Sequence, residues 1–460
     1  MKPSTAAFVI FALLAGAYQN LVGQGNDPLG QYVRRALSSN LTIKQTVERI
    51  NELAAAKNEA HSRFFPVLDF NARYSRQGGG REVLIDPSKF IESLPPGVEL
   101  GEPSGFSFLR EREHDTRFNL IQPIFTGGLV SSSYDARSME LMAAESQLEG
   151  VKEEIIFRVK QAYYQYAMTV ELVNIAVENK DLAAQHLEVA QKLFEAERVA
   201  RNEVLRAEVG VSRAEQAISE SDNSRELGRL YFNKLLDYDS EHDIELPVDK
   251  DIVDTSEIEE FAVKSLQDYK NIAYDNRAEI RELQYNIDAL GYLKKVHRSD
   301  YFPQISFSAT YGWEGRDYNF DLQHDYWNLS LLLKFNILSF GARGSRVDQA
   351  QAQINRLEFA KSDLLRSVDL QVSEAYYNLK NSLAQWRSAR HQLRSAEENY
   401  RITEVQYENG LASQISFLDA QNAYTSARSN LVIVYYEILT AGAALDRACG
   451  LGLARYSTTD

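Results

Sequence analysis

Cysteine is almost missing from this chain of 460 residues: Cys449 stands alone. One thiol excludes an intrachain disulfide and a cysteine-built zinc site, and reads as a small packed apolar residue near the C-terminus. Prolines number only 10, and none falls between Pro123 and Pro247 or after Pro303, so nothing of that kind interrupts helices there. Only four methionines are present, one of them the initiator, which argues against a soft-metal path. The seven histidines are scattered with no pair at metal-ligand spacing, and no metal or other cofactor is expected. A formal net charge of −15 argues against a general nucleic-acid binder, which needs a basic face. No stretch reaches the ~20 apolar residues of a spanning helix.

The N-terminus carries Lys2, an apolar run from Ala6 to Ala17 and the small-residue sequence Ala15-Gly16-Ala17. That is the form of a secretory leader over residues 1–17. An exported chain without spanning helices can enter a membrane only as strands.

The remainder says one thing twice. Arg63-Phe64-Phe65-Pro66-Val67-Leu68-Asp69-Phe70 returns as Asp300-Tyr301-Phe302-Pro303-Gln304-Ile305-Ser306-Phe307. Val159-Lys160-Gln161-Ala162-Tyr163-Tyr164 returns as Val372-Ser373-Glu374-Ala375-Tyr376-Tyr377. From Ala36 to Tyr74 the partner lies 237 positions on, and from Gly128 to Leu205 it lies 213 on. The missing 24 residues are lost between those segments, in a surface loop (about 76–115) that is long in the first copy. The expected organisation is repeat one over 18–236, an acidic connector over 237–257, repeat two over 258–449 and a tail over 450–460.

Within each repeat, alternation marks one hairpin, at about 65–125 and about 302–338. Leu68, Phe70, Ala72 and Tyr74 alternate with Asp69, Asn71, Arg73 and Ser75, and Ile305, Phe307, Ala309, Tyr311 and Trp313 alternate with polar residues. Phe118 and Leu120 behave likewise, as do Leu329, Leu331 and Leu333. The rest reads as helix. Val159, Tyr163, Tyr166, Val170, Val173 and Val177 step by four and three, as do Val372, Tyr376, Leu379, Leu383 and Trp386. This is the 3.5-residue seam of a coiled coil. Each repeat is expected to hold an incoming helix (about 30–62 and 258–299), a long helix (about 128–196 and 341–408) and a return helix (about 200–236 and 413–448). The long helices would run roughly 100 Å at 1.5 Å per residue.

Four amphipathic strands leave open edges that hydrocarbon does not tolerate. Two copies of the chain would close a filled eight-stranded barrel; three would close twelve strands around a lumen. At this point the chain resembles the TolC-like outer-membrane efflux protein family over nearly all its mature length. The resemblance rests on the duplicated Phe-Pro strand starts and the Ala-Tyr-Tyr helices. It rests also on Gln122-Pro123-Ile124-Phe125-Thr126-Gly127-Gly128, and on Tyr407-Glu408-Asn409-Gly410-Leu411 followed by Phe417-Leu418-Asp419-Ala420-Gln421.

The resemblance implies a mixed α and β fold: a homotrimer whose four strands per chain form a 12-stranded transmembrane β-barrel, continuous with a periplasmic tunnel of long coiled-coil-like helices. It implies a cell outer membrane of the Gram-negative type, a periplasmic adaptor, an inner-membrane pump reached through it, and no catalysis. It assigns a periplasmic gate to Asp419, Ser416, Tyr407 and Glu203, and an adaptor-contact tip to Gly410 and Leu411. Ser416 stands where the family often has an acid, and Ala412 where it sometimes has a base. Glu197 and Arg198 occupy the copy-one tip and depart from the pattern. Phe70, Tyr74, Phe307, Tyr311 and Trp313 would face lipid. A competing reading makes the chain a secreted or periplasmic coiled-coil scaffold without a pore, its strands packed in a soluble core. An enzyme has little support: no nucleophile motif, phosphate loop or metal cluster is present, and Gly78-Gly79-Gly80 lacks a following Lys-Ser/Thr. Cargo, whether drug, protein or metal, is not encoded in any motif.

Overall fold

The computed structural model describes residues 28–76, 82–85, 104–107, 112–246, 258 and 264–456. The expected leader, most of the long first loop, the connector beyond 246 and the last four residues lie outside the described residues. Two units partition the chain: 1–50, 142–284 and 359–460 form one, and 51–141 with 285–358 form the other.

In chain order the elements are α1 (Pro28–Ser39), α2 (Leu41–Ser62), β1 (Val67–Arg76), β2 (Glu82–Ile85), β3 (Ser104–Ser107) and β4 (Arg112–Phe125). Then come α3 (Leu129–Glu195), α4 (Arg201–Leu236), α5 (Leu266–Asn276) and α6 (Ala278–Ser299). Last are β5 (Gln304–Gly315), β6 (Asp325–Lys334), α7 (Ala342–Glu408), α8 (Gln414–Cys449) and a 3₁₀ turn at Leu453–Arg455. The halves correspond closely. Helices α2 and α6 each have 22 residues, α3 and α7 each 67, and α4 and α8 each 36.

Backbone geometry shows the same correspondence. Among the described residues, three that are not glycine have positive φ: Glu197, Asp237 and Phe340. Each stands 213 positions from a positive-φ glycine, namely Gly410, Gly450 and Gly127. The turns demand the left-handed region in both halves, and each half uses glycine only at some of them.

Two expectations need correction. The incoming helices are not continuous: they break at Asn40 and at Arg277, positions 237 apart. Asn40 Oδ1 accepts from the backbone N–H of Thr42 at 2.9 Å and so caps α2. Arg277 leaves the helix in an extended conformation, its guanidinium bonding Gln371 at 3.0 Å and the Ala448 carbonyl at 3.2 Å. A new start follows at Leu266, where Ser265 and Asp268 form a capping box, rather than at 258. The long first loop also holds structure of its own, the antiparallel ribbon β2–β3, so copy one contributes four strands rather than two.

The main sheet is antiparallel in the order β1-β4-β5-β6, with β1 and β6 as edges. Paired residues share a face, so the register sorts the side chains. One face carries the rows Leu68–Leu120–Ala309–Leu329 and Phe70–Phe118–Tyr311–Trp327. The other carries Asp69–Asn119–Thr310–Asn328, with Thr310 donating to Asn119 Oδ1 at 2.9 Å. Asp115 on that polar face is buried among Arg73 at 3.7 Å, Arg117 at 3.3 Å and the Tyr326 hydroxyl at 3.1 Å. The apolar face is open: Trp327 and Leu331 are each 70% exposed.

Among the described residues, the helical unit holds three cores. Val33, Val159, Phe232 and Leu236 anchor the copy-one core, and Val368, Leu379, Trp386 and Ile438 anchor the copy-two core with Cys449. Tyr400, Tyr407, Phe417 and Ala420 form the third, near the helix turns.

Candidate gate at the helix turns

Chain reversal at α3–α4 and α7–α8 uses one backbone solution twice. Arg198 N–H donates to the Leu193 carbonyl and Leu411 N–H to the Gln406 carbonyl, each reaching back five residues. This is the Schellman closure, with Glu197 (φ 55°) and Gly410 (φ 73°) in the left-handed position. Copy one therefore departs from copy two in chemistry but not in backbone. The two turns also meet: a Cβ on Gly410 would lie 3.1 Å from Arg198 Nη2. Leu411 is 80% exposed beside them.

A left-handed L-residue costs roughly 1–2 kcal/mol. Glu197→Gly is therefore expected to raise stability by about 1 kcal/mol, and Gly410→Ala to lower it by a similar amount. Paired thermal melts of the two variants check this; equal midpoints would show that neither turn stores strain.

After each turn, the return helix starts differently. Ser413 caps α8, accepting from the Ser416 N–H at 3.2 Å, and the two hydroxyls lie 2.9 Å apart. Ser416 is thus engaged in the cap. Ala200 precedes α4 without a side-chain cap. Gln414 is buried and bridges the copies: its amide donates to the Glu203 carbonyl at 2.7 Å and points to His186 Nε2 at 3.4 Å. The His186 ring stacks on Phe417 at 4.5 Å and lies 5.1 Å from the Tyr407 ring.

Tyr407 is buried, and its hydroxyl has no hydrogen-bond partner among the described residues. Burial first, then the charge of the nearby Glu203 carboxylate, pushes its phenol up to about 12. Burial alone pulls His186 down to about 4, so the ring is neutral at physiological pH. The structure therefore brings Tyr407 and Glu203 together, around His186 and Gln414, and leaves Asp419 and Ser416 exposed on α8. Sequence reading missed His186 and Gln414, because a lone histidine on a seam has no partner in its own repeat. A cavity of about 480 Å³ adjoins the cluster, lined by His186, Arg206, Arg213 and Gln421 among others.

The five strand residues singled out for the barrel surface lie together. Phe70, Tyr74, Phe307, Tyr311 and Trp313 all fall on the apolar face of the sheet.

Two long helices of equal length and a four-stranded sheet with one apolar and one polar face are the features that comparison with known proteins can place. The family described as outer membrane efflux protein matches residues 32–229 and 271–451, and the chain belongs to it. The cobalt-zinc-cadmium resistance protein CzcC of Cupriavidus metallidurans is 23% identical over 436 residues, covering 92% of this chain and 98% of the relative. The alkaline protease secretion protein AprF of Pseudomonas aeruginosa is 21% identical over 349 residues, covering 74% and 70%. Among solved structures, the Campylobacter jejuni CmeC outer membrane channel superposes with a TM-score of 0.75 at 18% identity, covering 94% of this chain and 89% of that one. CusC superposes with a TM-score of 0.76 at 16% identity, covering 92% of each. The protein is an outer-membrane efflux protein whose fold is that of these channels.

Proposed function

We propose that the protein is the outer-membrane exit duct of a tripartite export system: three chains close a 12-stranded barrel and prolong it as a helical tunnel. The observation that carries this reading is the four-stranded sheet, with two free edges and a face whose large apolar side chains stand exposed. Such a sheet is unsatisfied in water and in lipid until β6 of one chain pairs with β1 of the next. The matched element lengths and turn geometries support a duplicated ancestor and a pseudo-twofold subunit. The Phe70–Phe118–Tyr311–Trp327 row meets lipid, and the Asp69–Asn119–Thr310–Asn328 row lines the lumen.

In this reading the helix turns form the periplasmic mouth. Exposed Asp419 supplies a carboxylate ring on threefold association, favouring cations. Tyr407 and Glu203 brace the wall behind it. Leu411 with Gly410, and Glu197 with Arg198, present the surface to an adaptor hairpin, through which an inner-membrane pump delivers cargo. The relatives named above concern metal resistance in one case and protease secretion in another. Cargo choice on this reading belongs to the pump.

Planar-bilayer conductance of the purified mature protein tests the duct. Small, discrete, cation-preferring openings are the expected result, and Asp419→Ala is expected to raise basal leak and weaken cation preference. Folded, trimeric protein that never conducts, even with the mouth residues substituted, would favour the scaffold. Unchanged selectivity in Asp419→Ala would remove that residue from the gate.

A further inference from the structure

The two junctions between hairpin and helices occupy equivalent places in the repeats and are filled differently. In copy one, a cluster of rings joins the end of α2 to the start of α3. His61 lies 5.8 Å from Phe64, 5.4 Å from Phe65 and 5.6 Å from Tyr134, and Phe64 lies 6.1 Å from Tyr134. The repeat offsets carry these four to Arg298, Tyr301, Phe302 and Val347 in copy two, and carry Ser131 to Gly344. Two rings are lost, His61 to an arginine and Tyr134 to a valine, and a hydroxymethyl group is lost at Gly344. A cavity of about 410 Å³ stands there instead, lined by Arg298, Tyr301, Phe302, Gly344, Val347 and Asp348.

The walls of this cavity are fixed. The Arg343 guanidinium lies 5.1 Å from the centre of the Tyr301 ring, and it donates to the Asp300 carbonyl at 3.0 Å and to Ser339 Oγ at 2.9 Å. Gly127 packs so tightly on Phe302 that a Cβ there would lie 2.6 Å from the Phe302 Cβ. Arg346 is engaged with Asp300 at 3.0 Å. Among the described residues, the Arg298 guanidinium and the Asp348 carboxylate have no hydrogen-bond or ion-pair partner. The cavity thus combines an unpaired cation, an unpaired anion and two rings that are 47% and 53% exposed.

A simple anion would meet Asp348 there, and a simple cation would meet Arg298. A zwitterion satisfies both. Phosphate suits the guanidinium, and an ammonium suits the carboxylate. A primary ammonium brings N–H donors to Asp348, which a quaternary one lacks. Position points to a lipid as the source. Tyr301 and Phe302 directly precede β5, at the strand ends opposite the β5–β6 loop. Leu333 in β6 and Phe335 just beyond it stand exposed at that same end. The apolar face therefore ends beside the cavity. In a barrel, that is the level of the headgroups of the leaflet nearer the helices.

Resting on the barrel reading above, we propose that the copy-two junction is a headgroup site for an ethanolamine glycerophospholipid in the leaflet nearer the helices. Arg298 takes the phosphate, Asp348 takes the primary ammonium, and Tyr301 and Phe302 carry the glycerol and the first acyl carbons. Copy one has no equivalent role, because its rings occupy the place.

Native mass spectrometry of the purified mature protein tests this. The titrants are phosphatidylethanolamine, phosphatidylcholine and phosphatidylglycerol of one acyl composition, and acyl-free glycerophosphoethanolamine. Wild type should retain phosphatidylethanolamine about tenfold better than the other two lipids, the return for one charge-assisted contact. Asp348→Asn should erase that preference, and Arg298→Gln should weaken retention of all three lipids. Gly344→Ser with Val347→Tyr restores the copy-one filling and should weaken phosphatidylethanolamine retention several-fold. Equal phosphatidylethanolamine retention by wild type and Arg298→Gln overturns the site. Equal retention of the three lipids by wild type overturns the ammonium assignment. Glycerophosphoethanolamine held as well as the intact lipid overturns the membrane source. Conductance of the same samples separates the two levels. Variants that conduct like wild type have folded, so a lipid result from them bears on the headgroup site. Wild type that conducts and retains no phosphatidylethanolamine, as when a neighbouring chain fills the cavity, overturns the site and leaves the barrel standing. Wild type that never inserts defeats the barrel, and the site with it.

Discussion

Leu329→Arg is expected to abolish assembly of this protein in the outer membrane, whereas Thr310→Arg, one row position away on the adjacent strand, leaves assembly intact. The two residues differ chiefly in the face they occupy. Leu329 is 61% exposed on the apolar face, in register with Ala309, Leu120 and Leu68. Thr310 lies on the polar face, bonded to Asn119. An arginine in the hydrocarbon mid-plane of a barrel costs about 2–4 kcal/mol per chain, and a trimer carries it three times. A lumen arginine keeps its water and instead alters selectivity, shifting the pore toward anions. Outer-membrane fractionation with a trimer assay reads both outcomes. Tryptophan supplies an independent check, since the chain has only three. Trp327 stands 70% exposed on the apolar face and Trp386 is 1% exposed in a helix core. Brominated acyl chains should quench the first and spare the second. A protein in which Leu329→Arg assembles normally and Trp327 is not quenched has its sheet in water, and the scaffold reading would then hold.

Much of this fold was legible because it was written twice. Strand alternation put Phe70, Tyr74, Phe307, Tyr311 and Trp313 on one face of their strands, and the register keeps them on one face of the sheet, since a period of two leaves no freedom once one face is apolar. Long helices without proline ended close to their expected limits at Glu195 and Glu408, the second beside the readable stop Asn409-Gly410. What escaped depends on partners distant in sequence. Arg277 is a good helix former, yet α5 ends at it, its guanidinium shared between nearby Glu279 and the distant Gln371 and Ala448 carbonyl. Asn40 did carry a local signal, an N-cap residue ahead of Leu41, hidden inside an apparently continuous helical pattern. Glu197 gave no hint of a left-handed turn except through its counterpart, Gly410. The His186–Gln414–Glu203 bridge joins three helices from two copies, and no periodicity within either copy encodes it.

That bridge leads to the second large effect: acid is expected to loosen the helix turns, and His186 to be the cause. His186 Nε2 receives the Gln414 amide, so it is the unprotonated nitrogen, and protonating it sets two donors against each other. Charged groups face it from more than one side. Tyr407 and Glu203 lie on one side, and Arg206 and Arg213 line the adjoining cavity. Burial dominates and lowers the folded pKa to about 4, against 6.5 for an ordinary histidine. A base whose folded pKa is depressed stabilises the fold above its unfolded pKa. The unfolded chain binds the proton first, so stability falls between about pH 6.5 and about pH 4. The full loss across that window is about 2–3 kcal/mol per chain, at 1.36 kcal/mol per pKa unit and with some allowance for local relaxation. Protection factors at α8 residues 414–421, taken against the intrinsic exchange rate at each pH, should fall as pH drops over this range, while those in the Trp386 core stay level. His186→Phe keeps the stacking on Phe417 and removes the titration, so its protection factors should be flat with pH. A wild-type protein whose turn region is equally protected at pH 7 and pH 4.5 would show that His186 remains neutral at no cost, and that the turns owe nothing to it. If protection is lost, Gln414 releases the Glu203 carbonyl as it turns toward the new N–H donor. The first turn of α4 then loses its tie to α8, which couples proton uptake on α3 to the spacing of the two return helices.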